Sequence, residues 1–174
     1  MPYSDDRTNE KFLEIIKSIQ QIKTFLDLGC GAGKCGKIVK SVYPQSSGIG
    51  LDAVPAYQHT YQLNSVYNEF VSSDLCDYIF SNLDRWWDLV VFGDVLEHLK
   101  KSKGIDVLNA LSYMTSNIIV VYPDGYKQGA LEGHEEERHL SRWMPNDFFI
   151  CSDVNFYEVD YMRIVHIKPN FMNL

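Results

Sequence analysis

The stretch Leu26-Asp27-Leu28-Gly29-Cys30-Gly31-Ala32-Gly33-Lys34 decides the fold class of this chain. It closes an apolar run that starts at Thr24, and behind it Cys35, Ile38, Val39 and Val42 resume a helical spacing that ends at Tyr43-Pro44. The pattern reads as strand, glycine loop, helix. Glycines at alternate positions let the backbone turn without Cβ clashes and come close to a ligand, while the following helix offers unpaired N–H groups. Asp27 adds a carboxylate where the strand ends, which would repel a pyrophosphate and hold an ammonium group. A rival reading uses Gly31-Ala32-Gly33-Lys34-Cys35-Gly36, which fits G-x-G-x-x-G with Asp52 about twenty residues on, as in dinucleotide-binding loops. Spacing alone leaves that reading open, although the dinucleotide fingerprint ordinarily begins at the strand's end and here Asp27-Leu28-Gly29 intervenes. A Walker A loop is excluded, because no Gly-Lys-Ser or Gly-Lys-Thr follows the glycines.

Working outward, the alternation repeats. An amphipathic helix is expected within residues 1–22, with Phe12, Ile15, Ile16, Ile19 and Ile22 on one face behind the capping candidates Ser4, Asp5 and Asp6. Strands are expected at 24–28, 48–52, 69–74, 87–93 and 117–122, with a weak helix at 55–63 and a stronger one carrying Ile105, Leu108, Leu111 and Met114. Residues 124–142 lack apolar periodicity and read as a candidate lid loop. A short helix at 145–150 and two β-rich runs, 155–160 and 161–167, close the chain. This order predicts an α/β fold: one Rossmann-like, doubly wound domain over residues 1–174, with a mainly parallel sheet and helices on both faces. The last two strands have no helix between them, so one of them should run antiparallel.

Composition narrows the function classes. Sixteen Lys and Arg against twenty-three Asp and Glu leave a net charge of −7, which disfavours nucleic acid as a partner. No apolar run approaches the ~20 residues of a membrane span, and Met1-Pro2-Tyr3-Ser4-Asp5-Asp6 carries no targeting signal, so a cytoplasmic location is expected. Cys30, Cys35, Cys76 and Cys151 form no CxxC pair and should be reduced. Glu135-Glu136-Glu137 beside two histidines matches no metal-ligand spacing, and no metal is expected.

Acids recur at successive strand ends. Asp52 could accept hydrogen bonds from both hydroxyls of a ribose, and Asp74 could take an exocyclic amine. Three acids so placed around one glycine loop are hard to explain as helix caps alone. Asp27-Leu28-Gly29-Cys30-Gly31-Ala32-Gly33, Gly50-Leu51-Asp52, Ser73-Asp74-Leu75 and Trp87-Asp88-Leu89-Val90-Val91-Phe92-Gly93-Asp94-Val95-Leu96-Glu97-His98-Leu99, in this order, strongly resemble the class I S-adenosylmethionine (SAM)-dependent methyltransferases. The resemblance runs from about Phe25 to Tyr122 and is most specific in Asp94-Val95-Leu96-Glu97-His98-Leu99. It implies a seven-stranded sheet with an antiparallel last strand, SAM as cofactor and S-adenosylhomocysteine (SAH) as product. Carried over by position, it implies that Gly29, Gly31 and Gly33 shape the methionine and ribose site with Asp27 near the amino group. Asp52 would hold the ribose, Asp74 and Leu75 would flank the adenine, and Gly93 and Asp94 would line the methionine end.

Methyl transfer from a sulfonium asks the protein mainly for alignment and exclusion of water. A hydroxyl or protonated amine acceptor also needs a base, for which His139 and His98 are the candidates. His134, Tyr126 and Trp143 are candidate substrate contacts in and after the lid stretch. Phe92-Gly93-Asp94-Val95 differs from the Asn/Asp-Pro-Pro-aromatic tetrad of base methyltransferases, so a small-molecule acceptor, a sugar hydroxyl or another metabolite with an O or N nucleophile, is preferred. A protein methyltransferase, a non-catalytic SAM-binding subunit and a NAD(P)-dependent reductase are the alternatives. Nothing in the sequence fixes the oligomeric state.

Overall fold

The computed structural model describes residues 5–125, 128–129, 138–148 and 152–170. Seven strands form one mixed sheet: β1 (Thr24–Leu28), β2 (Ser47–Asp52), β3 (Glu69–Ser72), β4 (Leu89–Gly93), β5 (Ile118–Pro123), β6 (Ser152–Val159) and β7 (Met162–Pro169). Their order across the sheet is β3-β2-β1-β4-β5-β7-β6. β1 to β5 pair in parallel, and β7 runs antiparallel to both β5 and β6. The reversed strand is therefore the last in sequence, and the doubly wound fold with one antiparallel strand is as the sequence reading has it.

Alternation along β4 shows how the core is divided. Leu89 and Val91 enter a cluster with Phe12, Ile16 and Val39, contributed by α1 (Asn9–Ser18) and α2 (Lys34–Val42). Val90 and Phe92 enter the opposite cluster with Ile79, Val107 and Leu108, from α4 (Leu75–Phe80) and α5 (Lys101–Leu111). A short α3 (Tyr57–Thr60) and a 3-10 turn at Leu63–Ser65 fill the crossover from β2 to β3. Each fully buried large aliphatic side chain contributes about 1.5–3 kcal/mol, so a strand buried on both faces anchors both layers.

Three expectations are corrected. The N-terminal helix stops at Ser18, not at residue 22, because Ile19 is extended (φ −77, ψ 128); Ile19 and Ile22 are still buried, so their helical spacing is incidental. Helix α4, absent from the sequence reading, is only six residues long, too short to show a period, and Asp74 caps it. The segment at 145–150 is a 3-10 turn, Pro145–Phe148. No helix among the described residues is long and apolar enough to cross a membrane, and Cys30, Cys35 and Cys76 are free and buried.

Candidate active site

Sheet order reverses between β1 and β4, and a cleft of about 620 Å³ opens there, beyond the carboxyl ends of the strands. The loop after β1 forms its floor. Gly29 has φ +64, and a Cβ there would lie 2.4 Å from Val95 Cγ2, so glycine lets the β1 and β4 loops touch. The Gly31 amide donates to Asp52 Oδ2 at 3.0 Å while Val54 N donates to Oδ1 at 3.0 Å, which fixes the β2 acid beside the loop. Gly33 adopts φ +77 at the start of α2, tight against Leu63, and is not among the residues that line the cleft; its part is to set the helix.

Asp27 lies at the bottom. On the alternating strand it shares the α2 face with Phe25, an inward position where an apolar side chain would be ordinary, and it is 1% exposed. Its Oδ2 accepts from the Tyr67 hydroxyl at 2.5 Å and from the Gly36 amide at 3.0 Å. Burial pushes its carboxyl up to about 7, against the lowering pull of these two donors, and the charge of Asp52 adds to the rise. Tyr67 was missed by sequence reasoning. Its ring occupies the space left by two glycines: a Cβ at Gly36 would lie 2.4 Å from it and one at Gly50 2.6 Å. Gly36, which completes the G-x-G-x-x-G match, is thereby explained by packing against Tyr67.

Asp74 uses Oδ1 to cap α4, accepting from Cys76 N at 2.8 Å and Asp77 N at 3.1 Å, while the residue also lines the cleft next to Leu75. At the other end stand Gly93 and Asp94, the latter with φ +57. The N-terminal segment joins the rim: Lys34 Nζ donates to the Asp5 carbonyl at 2.6 Å and Tyr161 Oη to Asp5 Oδ2 at 2.5 Å.

Residues 138–143 dock on the 3-10 turn Leu96–His98. The Glu97 carbonyl accepts from Leu140 N at 2.7 Å and Ser141 N at 3.0 Å, and Ser141 Oγ donates to the Leu96 carbonyl at 3.1 Å. This brings His98 and His139 together edge to face, ring centroids 5.0 Å apart, on the cleft wall. Glu97 sits beside them, 3% exposed, with its carboxyl held well above the ordinary carboxylate range by burial and by the charge of Asp94. The motif around Glu97 was legible, but a buried glutamate is not something a sequence pattern reveals. Trp143 is not brought to the cleft: it is 2% exposed, packed on Phe148 and over Gly104, with Lys101 Nζ 4.4 Å from its ring centre. It is a core residue rather than a substrate contact. Tyr126, His134 and Glu135 to Glu137 lie outside the described residues.

No family model and no curated protein matches the chain. Among solved structures, a SAM-dependent methyltransferase from Archaeoglobus fulgidus superposes with TM-score 0.69 at 16% identity, over 92% of this chain and 92% of its own. An O-methyltransferase family protein from Burkholderia thailandensis gives TM-score 0.68 at 14% identity, covering 94% of this chain, which spans 57% of that protein's length. The plantazolicin methyltransferase in complex with SAH gives 0.66 at 13% identity, over 94% of this chain and 83% of its own. The likeness is one of fold.

Proposed function

We propose that this chain, whose fold is that of the class I SAM-dependent methyltransferases, binds SAM and transfers its methyl group to an oxygen or nitrogen of a small-molecule acceptor. The observation that carries the reading is the buried Asp27 carboxylate on the Gly36 amide. Gly36 is the third residue of α2, so its N–H is one of the orphan donors that a dinucleotide's pyrophosphate would need. A carboxylate in that place disfavours an anionic ligand and favours an ammonium group such as that of SAM's methionine moiety. The nicotinamide reading, third among the alternatives, loses its best support, since Gly36 serves Tyr67.

The residues present fit SAM. Asp27 would face the amino group, Asp52 the ribose hydroxyls, and Asp74 with Leu75 the adenine, Asp74 Oδ2 being outside its capping bonds. When bound, SAM supplies a methyl group already activated by its sulfonium. The chain's own work is to orient the acceptor in line with that methyl and to exclude water. His98 and His139, at the acceptor end, can take the proton that the nucleophile loses. An oxygen acceptor is in keeping with the O-methyltransferase description of the Burkholderia neighbour.

Calorimetric titration of the purified protein with SAM, SAH and NADH in parallel tests the cofactor. Micromolar binding of the two sulfur ligands without NADH is the expected result; NADH binding alone would overturn the proposal.

A further inference from the structure

We infer that Glu97, His98 and His139 form a divalent transition-metal site at the acceptor end of the cleft, deepening the methyltransferase reading by selecting a hydroxyl-bearing acceptor. One ligand atom from each residue can be chosen so that all three lie within 4.8 Å of one another, on a wall of the cleft. The second, independent observation is Glu97 itself. It is 3% exposed, and neither carboxylate oxygen has a hydrogen-bond partner among the described residues. No Lys or Arg pairs with it in the ion pairs found among those residues. A buried carboxylate without donors is costly in its ionised form, and a bound cation would offset that cost.

The surrounding backbone holds the set in place. Two amides, Leu140 N and Ser141 N, fasten the Glu97 carbonyl, and the His139 amide donates to the Gln128 carbonyl at 3.0 Å. His98 Nδ1 lies 3.3 Å from the Arg138 carbonyl; a proton donated there fixes the ring and the tautomer, as in metal-bound imidazoles generally, with Nε2 the ligating atom the proposal assigns. Two imidazole nitrogens and one carboxylate oxygen suit Mn²⁺, Fe²⁺, Co²⁺ or Zn²⁺ better than Ca²⁺ or Mg²⁺. Three protein ligands leave coordination positions open on the cleft side. A hydroxyl oxygen bound there loses its proton to water more readily, and the resulting alkoxide forms the new C–O bond as the methyl–sulfur pair returns to sulfur. The two histidines then act as ligands instead of proton acceptors. The metal-free site expected from sequence came from weighing the glutamate triplet, whereas this set unites residues about forty positions apart.

The test is Mn²⁺ binding to the full chain without SAM, read by the loss of the free-ion EPR signal, with Co²⁺ absorption as a report of nitrogen ligation. Wild type is expected to bind one ion per chain, and Glu97→Gln and His139→Ala to weaken it at least tenfold while keeping SAH affinity within twofold, which also certifies their folding. Absence of Mn²⁺ and Co²⁺ binding up to millimolar concentration, or equal binding by wild type and both variants, would overturn the site. The two readings fail separately: SAH binding without metal binding removes this site alone, and metal binding without SAH binding removes the cofactor assignment alone.

Discussion

Asp27 should make cofactor binding proton-linked in a range where most carboxylates are silent, and Tyr67 should set where that range lies. The gap between the ordinary 3.8 of a solvated aspartate and about 7 in the folded protein is about three pH units. At about 1.4 kcal/mol each, ionising Asp27 in the empty protein is about 4 kcal/mol harder than in water. Folding therefore takes up a proton at Asp27 between about pH 4 and pH 7, so the stability this group contributes to the ligand-free protein is full below about pH 4 and is lost as pH rises through about 7. A ligand ammonium that prefers the ionised form reverses the preference. SAH affinity should rise about tenfold per pH unit from about pH 5 to about 7 and then level off, with close to one proton released per ligand at about pH 6. Tyr67→Phe removes the 2.5 Å hydroxyl donor. A hydrogen bond to a charged group is worth about 1.5–3 kcal/mol, so the midpoint should move up by about one to two pH units. Calorimetry in buffers of different ionisation enthalpy measures both quantities. Proton release that is absent between about pH 5.5 and 7.5, or a midpoint identical in wild type and Tyr67→Phe, would refute the reasoning.

Three further outcomes follow from the geometry. Asp52→Ala should weaken SAH binding by about 1.5–3 kcal/mol through lost charge-assisted hydrogen bonds, and unchanged affinity by calorimetry would remove the ribose assignment. Gly29→Ala combines a positive φ with a Cβ 2.4 Å from Val95, so it should displace the β4 loop and abolish SAH binding; retention of wild-type affinity would show that the loop yields without cost. Trp143→Ala should cost about 3–5 kcal/mol in urea unfolding as a buried aromatic lost from the core, whereas a loss of turnover with unchanged stability would restore it to the substrate site.

Elements with a repeated pattern were legible. β4 and β5 are continuous apolar runs because both faces are covered, and α2 follows a glycine loop with a clear period. The end of α1 was not, since Ile19 and Ile22 are buried whether the chain is helical or extended. Asp27, Asp52, Asp74, Gly29 and Gly31, which line the cleft, could be picked out because each stands at or just past a strand end, where chain order alone dictates position, whereas Gly33 proved to start α2 outside the cleft. Tyr67 could not: the sign of its role is a pair of glycines, Gly36 and Gly50, fourteen positions apart and on different elements, that only make sense with the ring between them.

The sequence by itself determined the alternation of strand and helix, the turn after β1 and the acids at the strand ends, because period, glycine placement and chain order are local properties. Tertiary structure alone decided what those groups face. It turned Asp27 into the helix layer and stripped it of water, buried Glu97 with no donor to its carboxyl among the described residues, drew His139 across to His98, and put Trp143 into the core over Gly104. Those outcomes depend on which side chains exclude water from a given atom, and that is fixed by contacts between distant elements rather than by any pattern along the chain.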